Sequence, residues 1–482
     1  MRQPSITIVG AGFGGIGTAI ELTRAGFSDV TVLEKADGVG GVWRENDYPN
    51  AACDVPSSLY SWSFAPNPRW PHRYSHQDEI LAYIERTARD FGVLDLVRTG
   101  VEVTGASYDA TTQSWHLGTA AGEPIDTDVL ITCVGQLSRP SIPKLQGLGS
   151  FTGPAFHSAE WDHTVDLHGK RVAVLGTGAS AIQFVPAIAQ EAAHVTVFQR
   201  SAPWIAPKPN IEYSPVRQRL YQRWPVTQAF GRGLTWQITD RFQGTFENDS
   251  WLRTATELLC KAQLHRQVRD KELRAKLTPT DEFGCKRVLW SNEWYPALAR
   301  PDVDLVTESV VEVLPHGVRS GDGVEHDVDV IIYGTGFAAT EFLAPMEITG
   351  VDGVSLQDRW KAGARAYLGL CVPDFPNFFV VYGPNTNLGG SSVITMLEAG
   401  SRAVVSMLRV ADRAGARSVA VRPEAEERYD EEIQGRLADS VWVSCDSWYK
   451  EPGGRISTNW PGLAKEYQER CADLQQSDFE LV

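Results

Sequence analysis

Ser5-Ile6-Thr7-Ile8-Val9-Gly10-Ala11-Gly12-Phe13-Gly14-Gly15 opens the chain with a β-branched run that breaks on a cluster of glycines. Apolar residues then recur at helical spacing through Ile16, Ala19, Ile20 and Leu22, and a second β-branched run, Val30-Thr31-Val32-Leu33, ends at Glu34. The order is strand, Gly-x-Gly-x-x-Gly turn, helix, strand, acid. In that order Gly10 makes the tight turn, Gly12 lets the backbone approach a pyrophosphate, and Gly15 lets the helix pack closely on the strand. Gly14 completes the glycine cluster. The helix N-terminus favours phosphate, and Glu34 is placed to accept hydrogen bonds from ribose hydroxyls. The stretch predicts an adenine dinucleotide site.

The design returns once. Arg171-Val172-Ala173-Val174-Leu175 leads into Gly176-Thr177-Gly178-Ala179-Ser180-Ala181, and Val195-Thr196-Val197-Phe198 leads to Gln199-Arg200. Gly10 to Glu34 and Gly176 to Arg200 each span 24 positions. The second site therefore carries an arginine where the first carries a carboxylate. A carboxylate there selects a free 2′-hydroxyl and an arginine neutralises a 2′-phosphate. The first site is expected to take FAD and the second NADPH.

A further echo closes each half. Asp128 to Gly135 and Asp329 to Gly336 are apolar strands of equal length, each ending on a glycine that allows close approach of a cofactor. The fold class expected is α/β, with two Rossmann-like dinucleotide-binding domains, for FAD and NADP, and a helical insertion in the NADP domain. The boundaries expected are 1–145 for the first part of the FAD domain and 146–325 for the NADP domain. A charged, aromatic, helix-prone insertion covers about 205–280, and 326–482 holds the second part of the FAD domain and a C-terminal loop. Between the two units runs Phe151-Thr152-Gly153-Pro154-Ala155-Phe156-His157-Ser158-Ala159-Glu160-Trp161, too apolar for a passive linker. Its Gly153-Pro154 bend suggests a hinge.

Composition bounds the rest. The 482 residues are 43% apolar and 22% charged, as in an ordinary globular protein. A net charge of −15 argues against nucleic acid and against an anionic membrane as partners. No apolar run reaches transmembrane length, and with a strand expected almost at once no targeting peptide is expected. Seven cysteines (Cys53, Cys133, Cys260, Cys285, Cys371, Cys445, Cys471) show no Cys-x-x-Cys or metal spacing. A reduced, cytoplasmic chain without a metal site is expected. Disulfide reductases share the two-site layout but need a redox cysteine pair after the first unit, and Gly40 to Asp54 holds only Cys53. Oxygen is then the expected acceptor for a reduced flavin.

The connector fits Phe-x-Gly-x-x-x-His-x-x-x-Trp-(Pro/Asp) at Phe151, Gly153, His157, Trp161 and Asp162. On this pattern the chain resembles the type I Baeyer–Villiger monooxygenases, within the class B flavoprotein monooxygenases. A second signature of that family matches at Gly41, Trp43, Tyr48, Pro49 and Asp54, with Asn50 standing where Gly or Met is usual. The resemblance implies that Arg287, in Gly284-Cys285-Lys286-Arg287, is the catalytic arginine and that Asp54 pairs with it. Val288 replaces the family's Pro after the arginine. The resemblance also implies that Lys286 and Ser201 join Arg200 at the 2′-phosphate, with Thr177, Gly178, Ser180, Ala181 and Gln183 on the NADP loop and its first helix turn. Val42, Trp43, Tyr60 and Val103 are implied to line the flavin or its adenine end, and Trp448 to lie on a mobile loop that folds over the nicotinamide.

The implied reaction joins NADPH, FAD, O2 and a small-molecule ketone. A C4a-peroxyflavin attacks the carbonyl, Arg287 stabilises the tetrahedral intermediate, and an ester or lactone results. His157 reads as a structural latch and not as a base, because no motif puts it beside Arg287. A nitrogen- or sulfur-oxygenating flavin monooxygenase, an NADPH oxidase and a redox sensor without turnover remain alternatives. The ketone pocket is expected among the insertion, the Asn292 to Pro296 neighbourhood and the C-terminal loops.

Overall fold

A computed structural model describes residues 3–246 and 250–482. Both dinucleotide units form, each around a five-stranded parallel sheet. In the first, strand order runs Phe378–Val380, Val129–Thr132, Ile6–Val9, Val30–Leu33, Val97–Arg98. In the second it runs Val303–Val306, His194–Phe198, Arg171–Leu175, Val330–Tyr333, Ala155–His157. Ile6–Val9 and Val129–Thr132 are buried at every position, as expected of parallel strands covered on both faces.

The two glycine turns repeat one packing solution. Gly10 has φ +101°, and a methyl group there would lie 2.7 Å from the Cys133 carbonyl oxygen, at the end of the closing strand. Gly176 has φ +107°, and a methyl group there would lie 2.4 Å from the Gly334 carbonyl oxygen, at the matching place in the second unit. Only glycine allows both the left-handed backbone and the contact. At Gly15 a methyl would sit 1.8 Å from the Gly10 carbonyl oxygen, so the helix Phe13–Arg24 meets its strand through bare backbone.

The helix Val393–Ala414 packs along Phe13–Arg24, where the hydroxyls of Thr18 and Ser401 lie 2.8 Å apart, and ends at Gly415 in the left-handed conformation. The expected insertion is built from the helices Pro215–Arg223, Pro225–Phe242, Trp251–Gln267 and Lys271–Lys276.

Three expectations change. Val330–Tyr333 pairs with Arg171–Leu175 in the second sheet, and the chain re-enters the first sheet only at Phe378–Val380, so a boundary at 325/326 falls too early. The two closing strands are alike in sequence because they do the same task in different sheets. Second, the connector is not a free hinge. Ala155–His157 forms the edge strand of the second sheet, paired with Ile331, Ile332 and Tyr333. A methyl on Gly153 would lie 2.5 Å from the Asp329 carbonyl oxygen, so this glycine serves close packing. Third, the chain is not wholly reduced: Cys285 and Cys445 form a disulfide, closing a sequence separation of 160 residues. The other five cysteines are free and buried. No described helix is long and apolar enough to cross a membrane.

Candidate active site

Arg287 and Asp54, 233 positions apart, meet in a bidentate ion pair. Arg287 Nη2 donates to both carboxylate oxygens at 2.9 and 2.7 Å, and Nε donates to Oδ2 at 3.2 Å. Among the described residues Nη1 has no hydrogen-bond partner, so that edge of the guanidinium is open. The Asp54 charge is the main influence on Arg287 and raises its pKa against the effect of burial, so the cation is permanent. Burial alone pushes the Asp54 carboxyl up; the charge and hydrogen bonds of Arg287 outweigh it and hold Asp54 ionised.

The two partners are positioned differently. Arg287 follows Gly284, at φ +86°, and precedes the strand Leu289–Trp290, which pairs in parallel with Ile205–Ala206. Val288, where the family has Pro, is buried in a cluster with Trp204, Cys260 and Phe283, so it anchors the loop by packing. Asp54 lies on a loop clamped from the second unit. Gln183 accepts from the Tyr48 hydroxyl at 3.1 Å and donates to the Ala52 carbonyl at 2.9 Å. Asn50 has φ +63°, a conformation open to Gly and tolerated by Asn, which accounts for the departure from the usual Gly.

Sequence reading gave no role to Lys208 or Tyr449, and named Asn292 only as part of the pocket neighbourhood. Lys208 is a second cation beside Asp54; burial lowers its pKa and Asp54 restores part of it. Asn292 holds the Lys208 backbone, donating to its carbonyl at 2.6 Å and accepting from its N–H at 3.1 Å. Tyr449 is buried, its hydroxyl pushed up to about 12 by burial despite the opposing Arg287 charge. Trp448, half-buried, packs its ring 4.3 Å from that of Tyr449. The loop bearing both is not free, because Cys445 is bonded to Cys285, two residues before Arg287.

In the first unit Glu34 is buried, accepting from Ala11 N–H at 2.7 Å and Ala36 N–H at 2.9 Å. It holds the glycine turn and keeps lone pairs for ribose hydroxyls. The helix after Gly12 has no capping side chain and no acid in its first turn, which leaves its amides for an anion. Gly12 and Gly41 face each other closely enough that a methyl on Gly41 would sit 3.0 Å from the Gly12 Cα, so the cradle is bare backbone. Val42 and Trp43 start the short helix Val42–Glu45, and the Trp43 indole donates to the Tyr60 hydroxyl at 3.1 Å. Gly14 packs against Cys133 and Leu397. Val103 is buried in the cluster that contains Leu33 and lies behind the sheet. These residues fit an adenine dinucleotide.

In the second unit Arg200 is exposed, Lys286 donates to the Ser201 hydroxyl at 2.9 Å, and the Thr177 hydroxyl donates to the Ser201 carbonyl at 3.4 Å. Asp281 is the resident counter-charge on Lys286. Gly178 is exposed above the Gly334 carbonyl, and Ser180 starts the helix Ala181–Ile188 without capping it. A cationic patch beside uncapped amides fits a phosphorylated dinucleotide. The fingerprint lies behind this site. Phe151 packs beneath the second sheet, Trp161 packs on Phe156 and Phe184, and Asp162 accepts from Thr164 N–H at 2.9 Å.

His157 is 1% exposed, and its Nδ1 accepts from Ala159 N–H at 3.1 Å, which requires an unprotonated Nδ1. Burial lowers its pKa. The unfolded chain therefore takes up a proton near pH 6.5 that the folded chain refuses, and stability falls as pH drops below about 6.5. The loss from this one group is at most about 1.4 kcal/mol per pH unit. His157→Gln, compared with wild type by urea midpoints across that range, is expected to have a flatter pH dependence; parallel curves would show that His157 does not titrate in folding.

Comparison with known proteins gives one consistent picture. A family model described as Flavin-binding monooxygenase-like matches residues 3–347. A Baeyer-Villiger monooxygenase of Streptomyces coelicolor is 40% identical over 480 residues, 99% of this chain and 92% of its own length. The crystal structure of OTEMO in complex with FAD and NADP superposes with TM-score 0.89 at 27% identity, over all of both chains. Cyclohexanone monooxygenase from Rhodococcus sp. Phi1 bound to NADP+ superposes with TM-score 0.89 at 29% identity, over 99% of each.

Proposed function

The chain belongs to the Flavin-binding monooxygenase-like family, and from that premise we propose that it is a Baeyer–Villiger monooxygenase that uses NADPH and O2 to insert oxygen beside a ketone carbonyl. FAD and NADP(H) are its cofactors, and the two cradles described above fit them. Gly10, Gly12, Gly15 and Glu34 would hold the first, and Gly176, Thr177, Arg200, Ser201 and Lys286 the second. When bound, FAD accepts electrons from NADPH and activates O2.

One geometry carries the reading. Asp54 occupies Nε and Nη2 of Arg287 and leaves Nη1 open. A fixed guanidinium edge of this kind suits negative charge that develops on a carbonyl oxygen under attack. Because the cation is already paired, it is oriented before the substrate arrives, and its reorganisation cost is small. Asp54 also tempers the attraction of the cation for ground-state anions. Lys208 adds positive potential behind Asp54, and Asn292 fixes where that lysine stands.

Cys53 supports oxygen, not a thiol, as the electron acceptor. It is buried, and its thiol is pushed up to about 12, first by burial and then by the Asp54 charge, so it is unreactive near neutral pH. The test is a panel of cyclic, aromatic and polycyclic ketones with NADPH and O2. Products gaining one oxygen atom as esters or lactones are expected. If NADPH is consumed with stoichiometric hydrogen peroxide whatever ketone is present, the protein is an oxidase; if only amines or sulfides gain oxygen, it is a heteroatom monooxygenase.

A further inference from the structure

The helix Pro225–Phe242 is inside out. Its buried residues are Gln228 and Asp240. Four of its large apolar side chains face outward, with Val226 73%, Phe230 75%, Leu234 51% and Ile238 61% exposed, whereas Trp236 and Phe242 are half-buried. These four recur every four residues, so they form one stripe along one face. Gln228, Arg232 and Asp240 each follow a stripe residue by two positions, which turns them to the opposite face. That face is docked by polar contacts. Gln228 donates to the Asn67 carbonyl at 2.8 Å, Arg232 donates to the Ser61 carbonyl at 3.1 Å, and Asp240 accepts from Ala464 N–H at 2.9 Å.

A helix that spends its polar groups on the protein body and offers its apolar groups to water loses the burial that normally fixes an amphipathic helix. Val216 and Leu220 of the preceding helix and Trp224 between the two helices are exposed as well.

The charge of this segment runs against that of the whole chain. From Tyr213 to Phe246 there are five arginines (Arg217, Arg219, Arg223, Arg232, Arg241) and one acid, Asp240, in a chain of net charge −15. That one acid is buried, whereas Arg219, Arg223 and Arg241 are exposed. The acids that bound the segment in sequence are Glu212 and Glu247. The exposed charges that the segment itself presents are therefore all arginine. The whole-chain charge, which argues against an anionic membrane, does not describe this patch.

We propose that the 215–242 helix pair is a membrane-surface anchor that lays the Val226–Ile238 stripe into the interface of an anionic phospholipid bilayer. Apolar side chains enter the acyl boundary, exposed arginines meet phosphate headgroups, and the Trp224 indole sits at headgroup depth. A second copy of the chain is a poorer occupant. Self-complementary pairing about a two-fold axis would bring the arginines of this face against their own kind, with no exposed acid of the segment to meet them.

Vesicle co-sedimentation of the FAD-loaded protein tests this without turnover, so it stands or falls apart from the reaction proposed above. Binding is expected to vesicles containing phosphatidylglycerol, to be weak on pure phosphatidylcholine, and to be released by high salt. Phe230→Glu with Leu234→Glu is expected to lower vesicle affinity roughly tenfold or more, with flavin content and circular dichroism unchanged. Arg219→Glu with Arg223→Glu is expected to remove the preference for phosphatidylglycerol. The proposal is overturned if the wild-type protein stays in the supernatant with anionic vesicles. It is overturned too if Phe230→Glu with Leu234→Glu converts a dimer to a monomer in sedimentation velocity and leaves vesicle binding unchanged.

Discussion

Arg287→Ala is expected to lower ester formation by roughly 100- to 1000-fold while NADPH still bleaches the flavin at a near-normal rate. The two halves of that result have separate causes. Oxygen insertion places negative charge on the substrate oxygen, and removal of one pre-organised donor from such a site typically costs about 2.7–4 kcal/mol. The loss should fall toward the upper end, because Asp54 would remain as an unpaired carboxylate beside the reacting oxygen, three-quarters covered at 24% side-chain exposure. An unpaired carboxylate there adds repulsion to the missing attraction. Hydride delivery depends on the two dinucleotide cradles, and the residues that fit the NADP phosphate, Arg200, Ser201 and Lys286, keep their contacts. Arg287→Lys separates charge from shape. A lysine keeps the cation but cannot hold Asp54 through two nitrogens and still present an open third, so it is expected to recover only a small part of the rate. Product mass spectrometry alongside stopped-flow absorbance reads both halves. Ester formation within a few-fold of wild type in Arg287→Ala would remove Arg287 from the chemistry.

What the chain declares in sequence follows the reach of local physics. Gly10 and Gly176 are legible because a left-handed turn pressed against a carbonyl admits only glycine, and the flanking β-branched runs announce the strands. The exchange of Glu34 for Arg200 at equal spacing is legible because both terminate equivalent strands. Long-range relations are not. Nothing local brings Cys285 to Cys445 across 160 residues, and the same closure ties the loop expected to be mobile to the loop of Arg287. Lys208 sits in a segment with no motif; its charge acts on Asp54 from a backbone that Asn292, 84 positions on, grips. The connector misled for a related reason. A Gly-Pro bend has the same local chemistry whether it hinges or passes under a strand, and only the pairing of Ala155–His157 with Val330–Tyr333 decides. The outward stripe on Pro225–Phe242 has ordinary helical spacing, and sequence cannot say which side of a helix meets the body.

Arg200→Ala is expected to reduce the preference for NADPH over NADH by about 10- to 100-fold in kcat/KM, mainly through a higher KM for NADPH. A charge-assisted hydrogen bond to phosphate is worth roughly 1.5–3 kcal/mol, and NADH, lacking the phosphate, has nothing to lose at this position. Arg200 is exposed, so part of its attraction is screened, and the effect should shrink as ionic strength rises. Lys286 behaves differently. It is already held by Asp281 and the Ser201 hydroxyl, so it is pre-positioned but partly neutralised. Lys286→Ala is therefore expected to cost less than Arg200→Ala on its own. The double variant should lose more than the product of the two single effects, because one phosphate cannot engage two cations at full strength together, so removing either one lets the other take up part of its share. Asp281→Asn gives the complementary sign: freeing Lys286 from its counter-charge should tighten NADPH and leave NADH unchanged. Steady-state kinetics with both nicotinamides across a salt series reads all four variants. An unchanged NADPH preference in Arg200→Ala would move the 2′-phosphate away from the strand end at Phe198 and overturn the assignment of the second cradle.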